Sequence, residues 1–335
     1  MESEPLVSIL LPIRNAQAFL PDCLDSICQQ QLTRWELLAV DDHSTDDSAA
    51  IVQAYAQRDA RIRLLHNEGR GIIPALRLAY QHSQAPYLTR MDADDRMSID
   101  KLSHMYAQLQ GAGRGHLATG LVRYFSASPL GEGYRKYQDW LNELTRAGRN
   151  FSDIYRECVI PSPCWMLHRQ DLDRSGAFDR EVYPEDYDLC FRFYQQNLKV
   201  LPSDRVLHHW RDSPGRSSRT DPNYADNRFL DIKLAYFLRL DRQQERPLVL
   251  WGAGKKGKAL ARKLREQKVA FHWLCNNPAK IGRDIYGQRL MGEDQLADFS
   301  QPQVLIAVAG DAQQAQIKAQ LSQQYIPESA VFFFC

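Results

Sequence analysis

Over the first half of the chain, short unbroken apolar runs alternate with segments whose apolar positions recur every three or four residues. "LVSILLP" (6–12) is the first run, ended by Pro12. It has no polar alternation, which predicts a strand buried on both faces. Phe19, Leu20, Cys23, Leu24, Ile27 and Cys28 then recur at helical spacing, predicting an amphipathic helix over 16–30. "WELLAV" (35–40), "RIRLLH" (61–66) and "YLTRM" (87–91) read as three further strands. Between them, "AAIVQAYAQ" follows Ser44 and Asp47, spaced as a capping box, and "GIIPALRLAYQHS" carries Pro74 where a first helical turn tolerates it. Strands alternating with helices of this length predict an α/β fold with a parallel sheet covered on both faces.

The pattern is less regular in the middle. "GEGYRKYQDWLNELTRAGRN" (131–150) reads as a turn and an inserted helix, and "PSPCWMLHRQDL" (161–172) as a strand and helix start. "YPEDYDLCFRFYQQ" (183–196) opens with acids and continues as a helix, while "VLHHWRDSPGRSSRTDP" (206–222) is a strand running into a basic loop. Residues 224–240 form a helix closing the first domain, 1–240, and the charged stretch 241–246 is a linker. A second α/β unit follows over 247–335, with "PLVLWGAGKKGKALARKL" as strand, glycine turn and helix.

Composition narrows the function classes. The 335 residues suffice for two domains, and 42 basic against 41 acidic side chains argue against a general nucleic-acid or anionic-membrane binder. The seven cysteines show no CxxC pair, so a reduced, cytoplasmic protein without a zinc site is expected. The N-terminus carries acids where a secretory signal carries bases, and no apolar stretch approaches the roughly 18–20 residues that span a bilayer. Any work on lipid-linked material is then peripheral to the membrane.

Ligands of such sheets bind beyond the carboxyl ends of the strands. Arg14 and Asn15 follow the first strand, Asp41 and Asp42 the second, and Asp92, Asp94 and Asp95 the fourth. Asp92 and Asp94, at i and i+2, point the same way on an extended backbone and suit a hard divalent cation, Mg²⁺ or Mn²⁺. The alternative is a solvated turn in which Asp94 or Asp95 caps the next helix. Asp41 and Asp42 suit a ribose hydroxyl or a base N–H, with helix capping as the plain alternative. Glu185 and Asp186 open a helix whose N-terminus favours their ionised forms, as a carboxylate base requires, although an acid pair there is structurally ordinary. His208, His209, Arg211, Arg216 and Arg219 can surround a diphosphate or simply line a solvated loop.

The order of these pieces resembles the family-2 glycosyltransferases, which share the GT-A fold of nucleotide-diphospho-sugar transferases. The resemblance spans residues 6–220 through "VSILLPIRN", "ELLAVDDHSTDDS", "YLTRMDADDRMSIDKL", "PSPCWMLHR", "PEDYDLCFRF" and "VLHHWRDSPGRSSR". It implies a GT-A domain with a mostly parallel sheet. The implied enzyme is inverting and metal-dependent, a hexosyl- or N-acetylhexosaminyltransferase of bacterial surface polysaccharide or lipopolysaccharide synthesis. Its donor would be a nucleotide sugar, UDP-linked by expectation, and its acceptor a saccharide or lipid-linked hydroxyl. By the same resemblance, Pro12, Arg14, Asn15, Asp41, Asp42, Arg70, Asp92, Trp210 and Arg211 are donor-binding candidates. Asp94 and Asp92 are the metal ligands, with His208 or His209 a third. Asp186 is the catalytic base with Glu185 beside it, and Asp95 is a structural cap. The 131–150 insertion and the 211–222 loop are acceptor-side candidates. His43 and Arg77 depart from the residues common in the family, glycine and asparagine.

The second domain resembles a Rossmann-like unit, since Gly252, Gly254 and Gly257 fit GxGxxG between strand and helix. Its next strand ends in Leu274, Cys275 and Asn276 rather than in the acid that receives a ribose, so docking or homo-oligomerisation is expected ahead of dinucleotide binding. The competing hypothesis for the whole chain is a nucleotide- or NAD-binding sensor on a degenerate transferase scaffold.

Overall fold

The computed structural model describes residues 4–126, 129–213 and 226–335. Two compact units emerge, one from residues 1–152 and 158–224, the other from 153–157 and 225–335.

In the first unit, β1 (Val7–Ile13), β2 (Trp35–Asp41), β3 (Ile62–His66) and β4 (Tyr87–Arg90) alternate with α1 (Leu20–Cys28), α2 (Ser48–Ala56) and α3 (Ile72–His82). β1 runs one residue past Pro12, which pairs with Val40 of β2. After β4 come β5 (Arg96–Met97), α4 (Lys101–Ala112), β6 (His116–Thr119), β7 (Leu121–Phe125) and α5 (Glu132–Ala147). β8 (Trp165–His168), α6 (Arg169–Arg174), α7 (Glu185–Gln195), β9 (Lys199–Leu201) and β10 (Val206–Arg211) complete it. The main sheet has the order β3-β2-β1-β4-β8-β6-β9. β8 alone runs against its neighbours, so the sheet is mostly parallel. A smaller sheet, β5-β10-β7, adjoins the acidic turn after β4.

β1 and β2 are buried nearly throughout because helices cover both faces, as the unbroken apolar runs require. Leu20, Cys23, Leu24 and Ile27 of α1 pack with Ile9, Leu11, Leu102 and Met105 into one core. Each such leucine stabilises the fold by about 2 kcal/mol.

The second unit contains α8 (Asp226–Leu240), β11 (Leu248–Trp251), α9 (Lys255–Glu266), β12 (His272–Cys275), β13 (Asp284–Ile285), β14 (Gln288–Gly292), β15 (Gln303–Ile306), α10 (Asp311–Gln323) and β16 (Val331–Phe333). Its sheet has the order β13-β14-β12-β11-β15-β16, parallel except for the β13–β14 hairpin. The helix expected to close the first domain, α8, belongs to this unit. Its Phe237 packs edge-on against Tyr155 and Phe332, with centroids 5.8 and 4.9 Å apart. Apolar partners on β16, distant in sequence, decided where α8 went.

Gly252 has φ +120° at the β11–α9 turn, and a Cβ on Gly257 would lie 1.9 Å from the Gly252 carbonyl oxygen. Close packing of helix on strand therefore accounts for two of the three glycines, while Gly254 faces open space. Lys280 donates to the Ala253 carbonyl at 3.0 Å in the same turn.

Among the described residues, no helix is long and apolar enough to cross a membrane. All seven cysteines are free.

Candidate active site

The carboxyl ends of β1, β2 and β4 lie side by side because β1 pairs with both β2 and β4. That strand order gathers the loops carrying Arg14 and Asn15, Asp41 and Asp42, and Asp92 and Asp94.

Asp42 is buried and held by its neighbours. Its Oδ1 accepts from Asn67 Nδ2 at 2.6 Å, and both oxygens take the Gly71 N–H at 3.0 Å. Arg14 lies 3.7 Å from its Oδ2 with most of its own side chain in solvent. Asn67 and Gly71 were not read from the sequence as site residues. They orient this carboxylate, and Arg70 beside Gly71 is exposed at the same edge. Asp41 accepts from the Ser44 N–H through Oδ2 at 3.3 Å, while its buried Oδ1 has no hydrogen-bond partner among the described residues. An unpaired buried carboxylate oxygen costs free energy that a donor group on a ligand would recover.

Asn15 is engaged locally. Its Oδ1 accepts from the Thr45 N–H at 2.8 Å and its own N–H donates to Ser44 Oγ at 3.0 Å, clamping the two loops together. The Ser44–Asp47 capping box does not form; Asp46 instead accepts from the Ser48 N–H at 3.0 Å. Ser44 is already occupied by Asn15, which explains the difference. His43 adopts φ +57°, a left-handed turn conformation that glycine reaches more easily, and its Nε2 lies 2.7 Å from the Gly69 carbonyl. Arg77 turns to the 178–181 segment, donating to the Phe178 carbonyl at 3.0 Å.

Residues 92–95 form a tight turn, closed by the Asp95 N–H to the Asp92 carbonyl at 3.2 Å, rather than the extended run expected. Burial still alternates: Asp92 and Asp94 are partly exposed, Ala93 and Asp95 buried. Asp95 is structural but caps no helix, since α4 has Asp100 at its N-cap. It reaches β10 instead, accepting from the Arg211 N–H at 2.7 Å and meeting His208 Nε2 at 2.9 Å. Fully buried Lys101 continues this chain, 3.4 Å from His208 Nδ1 and donating to the Pro163 carbonyl at 2.6 Å. His208 is thus committed to the interior. His209 faces Ser98 Oγ at 3.3 Å, and the charges of Arg123 and Arg96 add to burial in lowering its pKa. Neither histidine joins Asp92 and Asp94, and no three metal-ligating side chains converge among the described residues. The oxygen-only pair Asp92 and Asp94 does fit a hard cation that fills its shell with water and phosphate oxygens.

Arg211 donates to the Asp94 carbonyl at 2.6 Å and to Asp22 at 2.8 Å, so it braces the acidic turn. Trp210 is buried and stacks on Tyr124 at 5.2 Å, packing within the small sheet. Arg216 and Arg219 lie outside the described residues.

Opposite this edge, α7 opens with Glu185 and Asp186. Glu185 is buried and ion-paired with Arg90 at 3.1 Å. Half-buried Asp186 accepts the Tyr187 N–H at 2.7 Å. Burial pushes its carboxyl up to about 7, the Glu185 charge adds to this, and Arg90 opposes it. The helix N-terminus was expected to favour the ionised acid, but desolvation and the neighbouring carboxylate outweigh it. A small recess beside Asp186 is lined by Arg90, Ile160, Ser162, Trp165, Leu189 and Phe193. The Ser162 hydroxyl is buried there with no hydrogen-bond partner among the described residues.

A mostly parallel sheet with acids at its carboxyl edge and a second sheet bracing the acidic turn have the architecture of the GT-A fold. Residues 8–176 match the family described as "Glycosyl transferase family 2", and the chain belongs to that family. It is 33% identical over 224 residues to glycosyltransferase GlyG of Streptococcus pneumoniae, covering 64% of this chain and 74% of the relative. It is 37% identical over 219 residues to the uncharacterized glycosyltransferase EpsJ of Bacillus subtilis, covering 63% and 62%. In fold it is similar to S. aureus TarS 1–349, solved in complex with UDP-GlcNAc (TM-score 0.57, 18% identity, 77% of this chain and 71% of that one). It is likewise similar to the mannosyltransferase PcManGT of Pyrobaculum calidifontis, solved with GDP-Man and Mn2+ (TM-score 0.53, 19% identity, 72% and 66%).

Proposed function

We propose that this glycosyltransferase moves a sugar from a nucleoside-diphosphate donor to a hydroxyl of a saccharide or lipid-linked acceptor by a single inverting displacement. The observation carrying this reading is Asp186: a carboxyl near neutrality on a helix facing the acidic edge, linked to it through Arg90. A base with a pKa near the working pH combines a large deprotonated fraction with useful proton affinity. Asp186 takes the acceptor proton as the hydroxyl attacks the anomeric carbon. The buried Ser162 hydroxyl gives that acceptor a second hydrogen-bonding group beside the base. Asp42, fixed by Asn67 and Gly71, receives a base N–H, and the unpaired oxygen of Asp41 receives a further donor. Asp92 and Asp94 hold a divalent cation, which when bound offsets the charge of the departing diphosphate.

Relatives solved with UDP-GlcNAc and with GDP-Man support a nucleotide-sugar donor but differ in base and sugar. UDP-sugars are the first donors to test. One relative, 36% identical over 100 residues, is named a putative teichuronic acid biosynthesis glycosyltransferase, TuaG of Bacillus subtilis, and supports a bacterial polysaccharide setting here. The family match over 8–176, together with the acids Asp42, Asp92 and Asp94 at the sheet edge and Asp186 on α7, weighs against a degenerate scaffold.

The test is a screen of UDP- and GDP-sugars for hydrolysis dependent on Mn²⁺ or Mg²⁺, followed by NMR of the product anomer. Metal-dependent turnover of one donor with inverted configuration is expected. Retained configuration would overturn the single displacement, and turnover unaffected by chelation would overturn the metal's part.

A further inference from the structure

Arg90 was not among the site residues read from the sequence, yet it joins acids from both sides of the first unit's site. It ends β4, its side chain is only 6% exposed, and it lies two residues before Asp92. Its Nε donates to Asp92 Oδ1 at 3.1 Å and its Nη2 lies 3.0 Å from the same oxygen. Its Nη1 donates to Glu185 Oε1 at 3.1 Å, across 95 residues of sequence. One edge of the fork is spent on the acid after β4, and the remaining nitrogen on the first acid of α7.

We propose that Arg90 is a positioning residue that holds Asp92 and Glu185 in a single fork, so that the donor site and the helix carrying Asp186 keep a fixed separation. The inference rests on the reading of Asp92 as a donor-site acid and Asp186 as the base. A guanidinium is planar and its donors diverge at set angles, so two carboxylates bonded to different edges have a defined geometry. Lysine supplies the same charge from one point and cannot reproduce that span. Burial makes the arrangement stiff, because a buried cation must keep its partners or incur a desolvation cost. The charge count makes it chemically useful. Asp92, Glu185 and Asp186 are three acids in one region, and Arg90 opposes the charge that Glu185 places on Asp186.

Arg90→Lys and Arg90→Met separate geometry from charge. Each is compared with the parent for donor KM, kcat, the pH profile of kcat/KM and the affinity for UDP with Mn²⁺ by calorimetry. In Arg90→Lys the acidic limb of the profile is expected near its parental position while kcat falls about tenfold, since one amine reaches only one acid. In Arg90→Met the acidic limb moves up by about one pH unit and UDP–Mn²⁺ binding weakens about tenfold.

Parental kcat in folded Arg90→Lys, or a parental limb and parental UDP affinity in Arg90→Met, overturns the proposal. Should Arg90→Met fail to fold, Arg90→Lys decides alone. Asp186→Asn and Asp92→Asn are run beside them. Turnover by either would sink the underlying reading instead, which keeps the two failures apart.

Discussion

Asp186 meets two opposed electrostatic demands. Its helix N-terminus and Arg90 favour the carboxylate, while burial and Glu185 favour the acid, and the second pair prevails. A folded pKa of about 7 lies above the ordinary carboxylate value near 4. Between those values the native state binds more protons than the unfolded chain, so this group makes stability fall as pH rises through the window. Asp186→Asn is therefore expected to abolish transfer, retain donor binding and melt above the parent at pH 8. The gain should be on the order of 1–2 kcal/mol after allowing for solvent screening. Calorimetric melts at pH 8 and pH 4 check it: the difference should shrink to a few tenths of a kcal/mol, roughly, at the lower pH, where the native carboxyl is protonated and the unfolded one about half so. For the parent enzyme, the rate should drop tenfold per pH unit below about 7, as the base fills with protons. A pH-independent rate between 5 and 8 would remove Asp186 from the base's role.

At the scale of elements, the acidic turn after β4 is held by side chains that arrive from far along the chain. Asp95, His208 and Lys101 form a buried polar chain joining the turn, β10 and α4, anchored on the Pro163 carbonyl before β8. Lys101→Met removes the amine and leaves buried polar groups unpaired. We expect a loss of about 3 kcal/mol in urea unfolding at unchanged m, with weaker UDP–metal binding because the turn loosens. An unchanged urea midpoint would mean that the chain is not needed to hold the turn. The strands and their terminal acids were legible in the sequence, since apolar runs ending in aspartates have only one edge of a parallel sheet to occupy. The partners were not. Asp95 looked like a local helix cap, yet its bonds run 113 and 116 residues away to His208 and Arg211. Asn67 and Gly71 matter because β3 pairs with β2, and Arg90 because α7 comes against the end of β4; periodicity encodes neither. A charged residue inside a buried strand was the available signal for Arg90. His209 and Trp210 find their nearest partners in Ser98 and Tyr124, contacts that rest on how β10 pairs with its neighbours and that periodicity does not encode.

For the whole molecule, two compact units with separate cores predict two responses to ligand. UDP with Mn²⁺ binds only the native first unit under the reading above, and at a hundred times its Kd should stabilise that unit by about 2.7 kcal/mol. The second unit has no comparable reason to respond to NAD. Gly252 and Gly257 are required by the packing of α9 on β11, Lys280 donates into the same turn, and β12 ends without an acid for ribose. Scanning calorimetry of the intact chain is expected to give two transitions, one raised by UDP with Mn²⁺ and one unmoved by NAD. Gly257→Ala places a methyl group against the Gly252 carbonyl and should lower only the NAD-insensitive transition, leaving metal-dependent donor hydrolysis at 25 °C within twofold of the parent. A single transition lowered by Gly257→Ala would show that the units unfold together. A second transition raised by NAD would restore dinucleotide binding to α9 and its turn, despite the packing that explains the glycines.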